Sequence, residues 1–326
     1  MFFYFSRFLV RLALPIYLKK LCVSNFDRVP KGSPIMIASN HPDSFFDAVV
    51  IGSVLRHPIH TLTRGDVFKK PAAAFWLRQI KLIPVFRGSE GRQYLKNHDV
   101  TAQESHDALK KNDAVVVFSE GICVNEWRLR PLGKGTARMA YKIWFGDDAL
   151  PEMKVIPTGV NYENFRGPGK RVALKFGNPI SQADIVMSPN EYEKWLREFN
   201  EILEKRMNEV ILTIPAELPV QERKNILNAY FNECKTPDRS NILLKGIGWI
   251  GRIVHAPLYS FFKKKTAQLT GKSVFYDSVL FGMLMYLYPA IVTIMAIIVG
   301  AFAGWQAGLA LFVALPLLAW VGSKYR

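Results

Sequence analysis

Short apolar runs alternate along this chain with stretches whose apolar residues recur at helical spacing. "PIMIASN" (34–40), "HTLTR" (60–64), "LIPVF" (82–86), "AVVVFSE" (114–120), "KVIPTGVNY" (154–162) and "VALKFGNPI" (172–180) read as strands. Between them "SFFDAVVIGSVL" (44–55), "FKKPAAAFWLRQI" (68–80), "TAQESHDALKK" (101–111) and "GTARMAYKIWF" (135–145) read as helices. Such alternation predicts an α/β fold, a mostly parallel sheet flanked by helices. "SPNEYEKWLREFNEILEKRM" (188–207) predicts a further helix, with Ser188 as cap, Pro189 at the first helical position and Glu191 closing a capping box.

After about residue 210 the pattern changes. "ERKNILNAYFNEC" (222–234) reads as helical, and "NILLKGIGWIGRIVHAPLYSFFKKK" (241–265) is apolar with scattered cations and no acid. That composition suits a helix on an anionic bilayer surface. From Ser278 to Ser323 no residue is charged, which allows two spans of roughly 20 residues each. "AFAGWQAG" (301–308) is expected to form the turn of this transmembrane hairpin. Lys272 before it and Lys324 and Arg326 after it predict that both ends face the cytoplasm. At the other terminus "MFFYFSRFLVRLALPIYLKKL" is apolar, with Arg7 and Arg11 one helical turn apart and Pro15 to kink it. The arginines break any secretory core. Either an in-plane interfacial helix or a buried first helix fits.

Composition sharpens this picture. The 326 residues carry a formal net charge of +16, and 49% are apolar. Basic charge alone admits nucleic acid, a membrane surface or an anionic substrate. The apolar share favours a lipid bilayer as partner, and the cations are not interleaved with aromatics as a nucleic-acid binder would have them. The three cysteines, Cys22, Cys123 and Cys234, are widely spaced. They suggest no CxxC motif or disulfide framework, and so a reducing compartment.

The chemistry concentrates in "SNHPDSFFDAVV" (39–50). His41 follows a strand and Asp47 opens a helix, so the two suit a base and its orienting carboxylate. A structural alternative exists: "SFFD" fits [ST]-x-x-[DE], with Ser44 as cap and Asp47 closing the box. Asp43 is a second, weaker partner for His41. No G-x-S-x-G occurs, so the usual signature of an acyl-enzyme serine hydrolase is missing. Cys123 as a nucleophile is a rival reading. "RHPIH" (56–60) lacks a third ligand for a metal.

"NHPDSFFD" (40–47), "RGDVFKKP" (64–71), "LIPVFRG" (82–88), "VFSEG" (117–121) with "RPLGKGTARMA" (130–140), and "VIPTGVNY" (155–162) follow in that order, each at a strand end. The series resembles the glycerolipid acyltransferase family, the lysophosphatidate and glycerol-3-phosphate acyltransferases, over roughly residues 25 to 210. The resemblance implies His41 as base, Asp47 as its orienter, and Glu120 with Gly121 shaping the acceptor pocket. Arg64, Arg87 and Lys134 are candidates for the acceptor's phosphate, where Arg forks fit best, and Gly133 and Gly135 allow close backbone approach. Two departures stand out. Five residues separate His41 from Asp47 where four are commonest, and Cys123 stands where the family usually has Arg. Arg128 or Arg130 would have to substitute.

The expectation is thus a membrane-bound O-acyltransferase. It takes acyl groups from acyl-CoA or acyl-carrier protein to lysophosphatidate or glycerol 3-phosphate, with no metal or cofactor. The alternatives are acylation of another lyso-lipid, such as a lyso-aminolipid, or a non-catalytic lipid-binding protein. The expected organisation is an N-terminal interfacial helix (1–22), an acyltransferase domain (23–210) on the cytoplasmic face, a helical membrane-surface segment (211–273) and a two-span hairpin (274–326).

Overall fold

The computed structural model describes residues 1–85, 97–232, 234 and 242–325, with 97–99 described by backbone only. Seven strands form its sheet: β1 (Lys20–Ser24), β2 (Ile35–Ser39), β3 (Ile59–Arg64), β4 (Leu82–Val85), β5 (Ala114–Phe118), β6 (Lys154–Tyr162) and β7 (Arg171–Phe176). Their order is β1-β7-β6-β2-β5-β3-β4. Every pairing is parallel except β6 with β7. The α/β, mostly parallel architecture is therefore as expected.

Apolar residues alternate between two buried faces, which is why the central strands read as unbroken apolar runs. Ile35, Ile37, Val116, Ile156, Val160 and Tyr162 face one side. There they meet Leu14 of α1 (Phe2–Tyr17), Phe46 and Val50 of α2 (Phe45–Val54), and Leu280 and Phe281 of a long C-terminal helix. Met36, Ala38, Val115, Val117 and Val155 face the other side. Those residues are covered by Leu109 of α4 (Asn97–Lys110), Trp144 of α5 (Gly135–Phe145) and Trp195 and Phe199 of α6 (Tyr192–Asn208). The exposed helix α3 (Pro71–Gln79) joins β3 to β4.

Beyond the sheet lie α7 (Val220–Asn232), α8 (Ile242–Thr270), α9 (Tyr276–Ala303) and α10 (Trp305–Lys324). The last two are long and apolar enough to cross a membrane, and they pack together. Their turn is tighter than the sequence suggests. Only Gly304 separates them, at a positive φ of 90° that favours glycine. α8 lies against α10 so closely that a Cβ on Gly251 would collide with the Leu318 carbonyl oxygen.

Three other local expectations are corrected. The N-terminal helix stops at Tyr17, and Lys20–Ser24 is an edge strand. An edge strand half open to solvent carries no strong apolar signal. α6 begins at Tyr192, not at Pro189. Ser188 closes a turn instead: its carbonyl accepts from the Glu191 N–H and its hydroxyl from the Asn190 N–H. Finally, Cys22 and Cys234 are joined as a disulfide, with Cα atoms 6.0 Å apart. β1 and α7 meet around Ala173, Leu227 and Phe231, so a separation of 212 residues is no bar to pairing. The cysteine spacing therefore gives no ground for a reducing compartment.

Candidate active site

Residues 40–44 turn the chain from the C-terminal end of β2 into α2. Asn40 fixes the start of this turn. Its side-chain amide donates to the Val160 carbonyl (3.1 Å) and accepts from the Val160 N–H (2.8 Å). Ser44 ends the turn at φ +53°, a sparsely populated region for a residue with a side chain. Its hydroxyl makes no capping bond to α2, so the capping-box reading of "SFFD" does not hold.

The turn absorbs the fifth residue between His41 and Asp47. Phe46 points into the core, and Asp47, fully buried in the first turn of α2, faces back toward His41. The His41 Nδ1–Asp47 Oδ2 distance is 2.9 Å. The same oxygen accepts the Asp43 N–H at 2.9 Å, and Oδ1 accepts the Tyr162 hydroxyl at 2.7 Å. Burial holds the Tyr162 phenol well above its usual range, so it remains a donor. An ionised carboxylate only accepts, so Nδ1 carries the proton and Nε2 presents its lone pair. The imidazole stacks on Phe118 at 3.8 Å between centroids and 13° between planes, which sets its plane.

Glu120 stands at the end of β5. Its carboxylate accepts from the His41 N–H (3.2 Å) and the Arg130 N–H (3.1 Å), tying the histidine turn to the loop before α5. Burial raises its pKa. Gly121, at φ +69°, makes the turn that follows. Cys123 also reaches the site, and its sulfur accepts the Ser44 N–H at 3.0 Å. Burial, followed by the nearby Asp47 charge, raises its pKa far above the usual thiol range, which removes it as a nucleophile. His41, Asp47 and Cys123 offer one ligand atom each within 4.8 Å of one another. Metal binding there would need the thiol to ionise and Nδ1 to give up its proton or turn away.

Of the cations proposed from sequence, the described ones, Arg64 and Lys134, are both engaged in ion pairs. Arg64 is exposed and bidentate to Asp66. Lys134 is exposed and paired with Glu193 at 2.7 Å. Arg87 lies outside the described residues. Arg130 binds Glu126 through one guanidinium nitrogen (2.7 Å), while its buried Nε has no partner among the described residues. Asp43 is not the histidine's partner. It meets Lys170 at 2.9 Å in a buried cluster that also holds Asp277.

Sequence reasoning passed over Asn40, Phe118, Tyr162, Lys170 and Asp277. One signal was available for Asp277: it is the acid immediately before the uncharged run that begins at Ser278. Asn40, Phe118 and Tyr162 lie inside the quoted blocks but their residue types do not mark these roles, and Lys170 is far along the chain.

No curated protein matches this chain. A structural likeness exists to the crystal structure of the 1-acyl-sn-glycerophosphate (LPA) acyltransferase PlsC from Thermotoga maritima. The TM-score is 0.44 and the identity 16%, over 63% of this chain and 79% of that one. Residues 20–161, from the first residue of β1 to the penultimate residue of β6, match the family described as Acyltransferase. That stretch, a little under half of the chain, is what this chain shares with the acyltransferase family.

Proposed function

We propose that the chain transfers a fatty acyl group from a thioester, acyl-CoA or acyl-carrier protein, to the hydroxyl of lysophosphatidate or glycerol 3-phosphate. The observation that carries this reading is the His41–Asp47 pair at a strand end, with Nε2 unbonded to any protein group among the described residues. The acceptor hydroxyl donates to Nε2. As its oxygen forms a bond to the thioester carbonyl carbon, the proton passes to His41, and the tetrahedral intermediate collapses by breaking the C–S bond. His41 then returns the proton to the departing thiolate. Asp47 holds the tautomer and stabilises the imidazolium between these steps, as the carboxylate does in a serine triad, with the substrate's hydroxyl in place of an enzyme serine.

Arg64, Arg87 and Lys134 are proposed for the acceptor's phosphate, with Arg130 as the substitute for the arginine that Cys123 displaces. Exposed ion pairs such as Arg64–Asp66 and Lys134–Glu193 are weak in water, so a phosphate can take over either cation. The hairpin α9–α10 is proposed to hold the protein in a bilayer, with the catalytic domain at the cytoplasmic face.

Purified full-length protein in detergent, offered labelled acyl-CoA or acyl-carrier protein and a panel of acceptors, tests the reading. Lysophosphatidate or glycerol 3-phosphate should be acylated. Acylation of a lyso-aminolipid alone would keep the chemistry and overturn the acceptor. No acyl transfer to any acceptor would overturn the function.

A further inference from the structure

A buried ion cluster lies beside the His41–Asp47 pair and takes no part in the chemistry above. Lys170 is fully buried in the segment before β7. Its ammonium donates to Asp43 Oδ2 at 2.9 Å and to Asp277 Oδ2. Its nitrogen also lies 4.7 Å from the Tyr162 ring centroid and 5.2 Å from that of Phe46. Asp277, also fully buried, stands in the first turn of α9, and its other oxygen accepts the Gly167 N–H at 2.7 Å. The next residue of α9 reaches the same place: the Ser278 hydroxyl accepts the Phe46 N–H at 3.0 Å. One turn on, Phe281 packs against Phe46 with ring centroids 5.3 Å apart.

These contacts converge on the turn that aims Asp47. Asp43 donates its N–H to Asp47, while its own carboxylate is held by Lys170 and by no other side chain among the described residues. Phe46 is the residue before Asp47, and its N–H is shared between the Ser278 hydroxyl at 3.0 Å and the Asp43 carbonyl at 3.2 Å. An apolar anchor would need none of this, since a buried charge cluster must overcome a desolvation cost that hydrophobic packing avoids. What ions and directional hydrogen bonds add is geometry.

We infer that the foot of α9 is a positioning element of the active site. Asp277 acts through Lys170 and Asp43, and Ser278 acts through the Phe46 amide. Together they hold residues 43–47 so that the Asp47 carboxylate faces the imidazole. The inference rests on His41 being the base.

The test is single-turnover acyl transfer by the full-length protein in saturating excess over a labelled acyl thioester. The rate constant is then independent of the fraction of active protein. Ser278→Ala and Asp277→Asn should each lower that constant roughly tenfold, as small misplacements at a reacting centre do. The share of donor consumed should stay unchanged, and half-saturation by acceptor should move by less than about twofold. Ser278→Thr, which restores the hydroxyl, should recover most of the rate. Wild-type rate constants in Ser278→Ala and Asp277→Asn, with only the melting temperature lowered, would reduce the cluster to a structural role and overturn the inference. Should Asp277→Asn fail to fold, the Ser278→Ala and Ser278→Thr pair decides. His41→Ala serves as the reference: an active His41→Ala sinks the underlying function. An inactive His41→Ala beside fully active Ser278→Ala and Asp277→Asn sinks the positioning role alone.

Discussion

At the scale of single residues, the site is an imidazole held by a carboxylate that accepts three hydrogen bonds. Asp47→Asn keeps the shape but lets Nδ1 lose its proton to the other tautomer. Turnover should fall roughly 10²–10⁴-fold, read as kcat on purified protein of unchanged melting temperature. Cys123 should matter little to the chemistry, because its thiol stays protonated and serves the Ser44 N–H as an acceptor. Cys123→Ser retains that acceptor and should keep kcat within about threefold of wild type; complete loss would revive the thiol as nucleophile. Glu120 makes a pH-dependent contribution. Burial raises its folded-state pKa, so the folded protein holds that proton more tightly than the unfolded chain. The associated stability is present below the ordinary carboxylate range and is lost as pH rises through the raised value. Glu120→Gln, permanently neutral, should flatten the fall in melting temperature across that interval. The His41–Asp47 pair was legible in the sequence because both residues sit on one short turn. Tyr162 and Lys170 were not, because they reach the turn from 115 and 127 residues away.

At the scale of elements, the strands buried on both faces were the legible ones. β2, β5 and β6 carry continuous apolar runs because helices cover both sides. β1 was hidden by its place at the sheet edge. The start of α6 was misplaced because Ser188 and Glu191 satisfy a capping pattern whose backbone is used for a turn, while Glu198 of the helix accepts the Val186 and Met187 N–H groups. β6 supplies both Tyr162 and the Val160 amide that fixes Asn40, so its seating should matter to the site. Gly159 allows that seating: a Cβ there would strike the Val210 carbonyl beyond α6. Gly159→Ala should therefore cost about 1–3 kcal/mol of stability, measured by denaturant unfolding, and an unchanged midpoint would refute the close approach.

At the scale of the whole molecule, a hairpin long enough to cross a bilayer grows directly out of the catalytic fold. α9 has 28 residues, a length of about 42 Å, against a hydrocarbon thickness of about 30 Å. Its surplus is the buried foot, where Tyr276, Asp277, Leu280 and Phe281 belong to the core around α2. The sequence made the apolar length visible but not this division, since Leu280 and Phe281 read the same whether they face lipid or protein. If the hairpin spans a membrane, the full-length protein should stay with the membrane pellet through alkaline extraction, and release into the supernatant would count against it. Deleting residues 274–326 should also leave the remaining domain aggregated, because Lys170 would lose Asp277 and Phe46 would lose Phe281. The most direct test of the central claim is kcat/KM for acyl transfer by His41→Ala in full-length, correctly folded form, with the acceptor the wild-type protein uses best. The expected result is a loss of at least about 10³-fold, the scale of removing a general base; transfer at the wild-type rate would contradict the assignment of His41 as the base.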